Sequence, residues 1–161
     1  MPNPLAYFLT WTCHGAWLPG DERGWVDSAH NAYGTPVLPP DPDRKAESEE
    51  AMSGRSVTLD RAAREVVVRA IEDHCRVRGW KILALAVRTN HVHVVLVAPG
   101  YRPEIVMGQL KSWATRRLRD VGMRDGSRVW TREGSTRHLF FQEAVNAAIA
   151  YVRDGQGVAL D

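Results

Sequence analysis

Residues Trp80 to Ala98 narrow the possible folds more than any other part of the chain. Trp80 to Val87 and His91 to Ala98 are both rich in β-favouring apolar residues, only Arg88-Thr89-Asn90 separates them, and Pro99-Gly100 ends the second run. Three residues suit a tight turn between antiparallel strands, because a parallel crossover needs a dozen or more. Helical patterns flank this hairpin on both sides. Before it, a cap at Thr58 or Asp60 precedes Ala63, Val66, Val67, Ala70, Ile71 and Cys75 at three-to-four spacing, and Gly79 stops the run. After it, Pro103 opens a helix to about Val121 with the apolar stripe Ile105, Val106, Leu110, Trp113, Ala114 and Leu118. Leu5 to Cys13 reads as a first strand, Val129 to Thr131 as a short later strand, and Phe141 to Arg153 as a last helix ending at Gly155.

Strand, helix, hairpin, helix, strand, helix is the order of an α+β fold. It predicts a ferredoxin-like split βαβ arrangement, an antiparallel sheet with helices on one face and an added C-terminal helix. The 161 residues, 44% of them apolar, suit a single domain over 1–161 with one core. A loop-rich insertion at about 19–57 interrupts it, where Pro39-Pro40 and Pro42 argue against a continuous helix or a central strand. Trp17, Trp25 and Tyr33 predict that its first half packs down, and Ala46 to Gly54 is the better candidate for disorder. Cys13 and Cys75 lack thiolate-cluster spacing and read as small buried thiols. With no long apolar run and no leader-like N-terminus, the expectation is a soluble cytoplasmic protein without a membrane partner.

The second strand of the hairpin also carries chemistry. In Asn90-His91-Val92-His93, strand alternation sends both imidazoles to one face and Val92 to the other. Such a pair can converge on one cation, or it can simply line a solvated face. Charge is unevenly distributed although the formal net value is only +2: basic residues crowd Arg102 to Arg137, and acidic ones crowd Cys13 to Asp60. Lys111, Arg116 and Arg119 fall largely off the apolar helix stripe and, with Arg117, are candidates to contact phosphates. His14, His74 and His138 have no paired spacing and read as satisfied polar residues.

The His-hydrophobic-His strand, followed by a Lys/Arg-bearing helix, resembles the motif of the single-tyrosine transposases of bacterial insertion sequences. The stretch from Val129-Trp130-Thr131 through His138-Leu139-Phe140-Phe141 to Ala150-Tyr151-Val152 is similar to the end of their relatives, the REP-associated tyrosine transposases. The resemblance covers Tyr7 to about Gln156 and is weakest at Pro19 to Gly54. It implies a ferredoxin-like nuclease that cleaves and rejoins hairpin-bearing single-stranded DNA through a covalent 5′-phosphotyrosine. Tyr151 would be the nucleophile, with His91 and His93 holding Mg²⁺ or Mn²⁺. In the relatives the tyrosine helix also supplies an amide about one turn later. Here that position offers Asp154, while Gln156 comes one residue late, and either is a candidate third ligand. Possible homodimerisation follows from the same resemblance.

The chemistry stands up without the resemblance. A phenol with a pKa near 10 is a weak nucleophile at neutral pH, so a tyrosine nuclease needs electrophilic activation of its phosphate. Neutral imidazoles suit Mn²⁺ better than Mg²⁺, which favours oxygen ligands, so a third oxygen ligand is expected. Tyr101, directly after the His strand, is the rival nucleophile. Two other functions compete: a non-cleaving nucleic-acid-binding or domesticated regulatory protein, and a small-molecule metal hydrolase using His91, His93 and a carboxylate such as Glu143.

Overall fold

A computed structural model describes residues 3–15, 56–124 and 128–155. Most of the insertion expected at about 19–57 lies outside the described residues. So do Trp17, Trp25, Tyr33 and Gln156.

The elements are β1 (Ala6–Cys13), α1 (Arg61–Arg78), β2 (Lys81–Val87), β3 (His91–Val97), α2 (Pro103–Asp120), β4 (Trp130–Leu139) and α3 (Gln142–Ala150). Directly after α3 the chain makes one π-helical turn, Tyr151–Gly155. The four strands form one antiparallel sheet in the order β2-β3-β1-β4, the ferredoxin-like arrangement expected from the sequence. Helix α1 starts where expected: the Asp60 side chain accepts from the Ala63 amide at 2.8 Å, and Gly79 caps the other end at φ 77°.

Two apolar layers sandwich the sheet. On one face Leu9, Trp11, Val92, Val94 and Leu96 pack against α1 and α2 through Val67, Ile71, Val106, Leu110 and Leu118. On the other, Ala6, Phe8, Ala84, Val95 and Leu139 meet Val145, Ala148 and Val152 of the C-terminal segment. The central strand β3 is therefore covered on both sides along Val94-Val95-Leu96, which explains its unbroken apolar run. A register shift between Ile82 and Ala84 in β2 places both Leu83 and Ala84 towards the C-terminal layer. The chain after the insertion returns as a core segment: Val57 and Leu59 are buried and their amides bond to the carbonyls of His14 and Thr89 at 2.7 Å each.

Three sequence expectations are corrected. Strand β4 runs ten residues to Leu139 rather than three, although Arg132-Glu133-Gly134-Ser135-Thr136-Arg137-His138 carries no apolar alternation. It is an edge strand held by its ladder to β1, so few of its side chains need to enter a core. Trp113 and Ile105 were placed on the buried stripe of α2 but are 38% and 52% exposed, because the buried line is Val106, Leu110, Ala114 and Leu118 joined by Met107. The last α-helix spans Gln142–Ala150, and its continuation is π rather than α.

Candidate active site

The face of β3 that carries His91 and His93 is the face covered by the C-terminal segment. The two rings lie edge to face, 4.8 Å between centroids. Beside them, in the next strand, Thr10 stands opposite His93 and Thr12 opposite His91. The Thr10 hydroxyl lies 2.8 Å from His93 Nδ1, and Asn90 Oδ1 lies 2.8 Å from His91 Nδ1. An amide oxygen only accepts, so that contact puts the His91 proton on Nδ1 and makes Nε2 the ring's lone-pair nitrogen. Neither Thr10 nor Asn90 was singled out for this from the sequence. The alternation of β1 showed which face Thr10 occupies, but its pairing with β3 is a property of the sheet.

His93 is buried, and its imidazole pKa is lowered to about 3, first by burial, then by the neighbouring charges of His91 and Arg88. It is therefore neutral at physiological pH, the form that coordinates or accepts a hydrogen bond.

Tyr151 closes the cluster from above. Its ring makes edge contacts with His93 at 5.6 Å and Phe8 at 5.9 Å, and the residue is 45% exposed. Its neighbour Val152 is buried and anchors the turn in the apolar layer, which leaves the tyrosine at the rim of the histidine site. Ala86 stands opposite His93 in β2, and its small side chain leaves room for the π turn packed over that strand. π-Helical turns are rare and recur at functional sites.

The other predicted residues are distributed less compactly. The rival Tyr101 lies in the opposite layer, its ring against Trp80 at 5.1 Å and its carbonyl accepting from the Tyr7 hydroxyl. Asp154 is exposed, and among the described residues no three His, Cys, Asp or Glu side chains form a metal-holding group, so neither Asp154 nor Glu143 completes one with the histidines. Helix α2 packs on the sheet face away from the histidines. Lys111 there donates to the carbonyls of Thr131, Arg132 and Glu133 at 3.1, 3.4 and 3.4 Å, so its ammonium ties α2 to β4. Arg117 reaches Asp73 at 3.4 Å. Arg116 stacks over the Trp113 ring at 5.2 Å, and Arg119 is exposed near the end of the helix. His74, as expected, is a satisfied buried residue, bonded through Nε2 to Gln109 Oε1 at 2.7 Å.

A histidine pair with its Nδ1 atoms occupied, a tyrosine at its rim, and a ferredoxin-like sheet beneath coincide with one family. The family model for IS200-like transposases matches residues 51–152, which include His91, His93 and Tyr151. The chain belongs to that family. Solved structures agree on the fold. One similar structure is a Deinococcus radiodurans R1 protein assigned as a transposase, with 18% identity over 99% of this chain and 95% of that one and a TM-score of 0.51. Another is a REP-associated tyrosine transposase bound to a REP hairpin, with 12% identity over 94% of this chain and 66% of that one and a TM-score of 0.50. No curated protein matches the chain. Among the described residues of this IS200-like family member, no helix is long and apolar enough to cross a membrane.

Proposed function

We propose that this transposase-family chain is a metal-dependent DNA transesterase that cleaves and rejoins hairpin-bearing single-stranded DNA through a 5′-phosphotyrosine on Tyr151. The observation that carries the reading is the edge-to-face contact of three rings in succession, His91 with His93 at 4.8 Å and His93 with Tyr151 at 5.6 Å between centroids. In the cleavage step Tyr151 Oη bonds to phosphorus and the bond to the 3′ oxygen breaks. The phenol proton passes to solvent base, and the departing oxygen is protonated to a free 3′ hydroxyl. One phosphodiester replaces another, so the reverse step joins strands without an external energy source. The hairpin form of the substrate is supported by the structural relative solved with one.

The donor set suits a divalent cation: two imidazoles whose Nδ1 atoms are engaged by Asn90 and Thr10, the buried one neutral at physiological pH. His91 and His93 would hold it, and Mg²⁺ or Mn²⁺ bound there would supply Lewis-acid polarisation of the phosphate. For the third ligand we favour Gln156 over Asp154. The exposed Asp154 forms no metal-holding group with the histidines among the described residues. Arg116 and Arg119, across the sheet, would contact phosphates away from the cleaved bond, whereas Lys111 serves the α2–β4 junction.

The deciding experiment is a denaturing gel of the protein incubated with labelled hairpin DNA and Mn²⁺. A covalent adduct that forms with the native chain and disappears in Tyr151→Phe is expected. Binding without any adduct would replace this reading with a non-cleaving DNA-binding role, and phosphatase or esterase activity that survives Tyr151→Phe would replace it with hydrolysis.

A further inference from the structure

We propose that Arg88, in the turn joining β2 to β3, grips a non-bridging oxygen of the DNA phosphodiester held at the histidine site. The inference rests on the transesterase reading for its substrate, but its evidence is separate.

Ala86 stands opposite His93, Val87 opposite Val92, and the Arg88 amide donates to the His91 carbonyl at 2.8 Å. Continuing the alternation places Arg88 on the face that carries both imidazoles. The Coulombic effect of Arg88 on His93 agrees with that placement. The decisive observation is that Arg88 Nε is buried and has no hydrogen-bond partner. Nearly all buried polar atoms in native proteins are partnered, and an exception calls for an explanation. Among the described residues nothing provides one. The electrostatic partner of its charge is the His93 imidazole, and among the described residues no ion pair joins Arg88 to a carboxylate. A guanidinium on the face of the buried, neutral His93, with its Nε donor unused, lacks an anion.

A phosphodiester fits that gap. Guanidinium donors match two phosphate oxygens in a fork that lysine cannot reproduce. Placed here, the cation would orient the phosphate under Tyr151 and offset the charge that gathers on its non-bridging oxygens as the phenolic oxygen bonds to phosphorus. From sequence alone Arg88 looked like an ordinary turn residue, because neither its face nor its unused donor is visible without the sheet.

The test uses a Tyr151→Phe background, which binds without cutting. The probe is a fluorescein-labelled DNA hairpin with single-stranded flanks, taken from inverted repeats beside the reading frame. Anisotropy titrations over a salt series should show that Arg88→Met weakens binding about tenfold and lowers the salt slope by about 0.7, the value for one contact to a single strand. Arg88→Lys should keep most of the slope but lose affinity. The melting temperature of Arg88→Met should not fall, because no partner within the protein is lost. An unchanged slope, or a fall in melting temperature that accounts for the lost affinity, would overturn the proposal. If native protein binds the probe but never forms an adduct, the transesterase reading fails while the slope still decides the role of Arg88. Absence of binding by the native protein overturns both.

Discussion

Gly134 and Gly108 set up one experiment in which the same added methyl group should have opposite effects. Gly134 lies in β4 opposite Trp11, and a β-carbon there would sit 2.5 Å from the Thr10 carbonyl oxygen, 2.9 Å from Met107 Sδ and 3.0 Å from Trp11 Cβ. Methionine can turn aside, but the Thr10 oxygen is backbone within the β1–β4 ladder and retreats only if the strands part. Gly134→Ala should therefore reach the upper end of overpacking costs, about 3 kcal/mol, equivalent to a melting temperature lower by roughly 6–12 °C in a chain of this size. Gly108 is an exposed position inside α2 with nothing within 4 Å of the added carbon. Gly108→Ala should gain about 1 kcal/mol from helix propensity and raise the melting temperature by roughly 2–4 °C. Circular dichroism melts of both variants beside the native chain measure the pair. Because Thr10 also holds His93, Gly134→Ala should in addition slow adduct formation by more than its loss of folded protein explains. A Gly134→Ala protein that melts within 2 °C of the native chain would refute the close approach of β4 to β1 and the reason given for glycine there.

Two further outcomes follow. Thr10→Val removes the hydroxyl 2.8 Å from His93 Nδ1 and should weaken Mn²⁺ binding about tenfold to a hundredfold by calorimetry, with Thr10→Ser restoring most of it; unchanged affinity in Thr10→Val would remove the positioning role. Burial raises the Cys13 thiol to about 12, with Arg124 opposing, and burial with the nearby Glu72 raises Cys75 to about 11, so folding favours the protonated thiols. Their contribution to stability is complete below the unfolded value near 9 and is lost as pH rises from there through 11 and 12. Urea unfolding at pH 8 to 10.5 should therefore show a steeper alkaline decline in the native chain than in a Cys13→Ala, Cys75→Ala double variant, and equal slopes would contradict it.

Much of this molecule could be read from local pattern. The hairpin between β2 and β3, the Asp60 cap, the Gly79 stop and the common face of His91 and His93 all follow from periodicity and turn chemistry that act within a few residues. The expectation for β4 failed because an edge strand draws its stability from a neighbour's backbone and needs no apolar alternation of its own. That for Trp113 failed because helical spacing gives a stripe whose width only the packed sheet can trim. The order of the elements, and hence the α+β fold, was set by the sequence alone, since short connections leave few ways to arrange them. Tertiary structure decided how other side chains stand at the histidines: Thr10 across the ladder, Tyr151 at the rim from the π turn, and the unused donor of Arg88 in the adjoining turn. Thr10 and Tyr151 reach the histidines from segments far apart along the chain, brought there by the packing of the whole sheet and its last helix, and no local rule encodes those contacts.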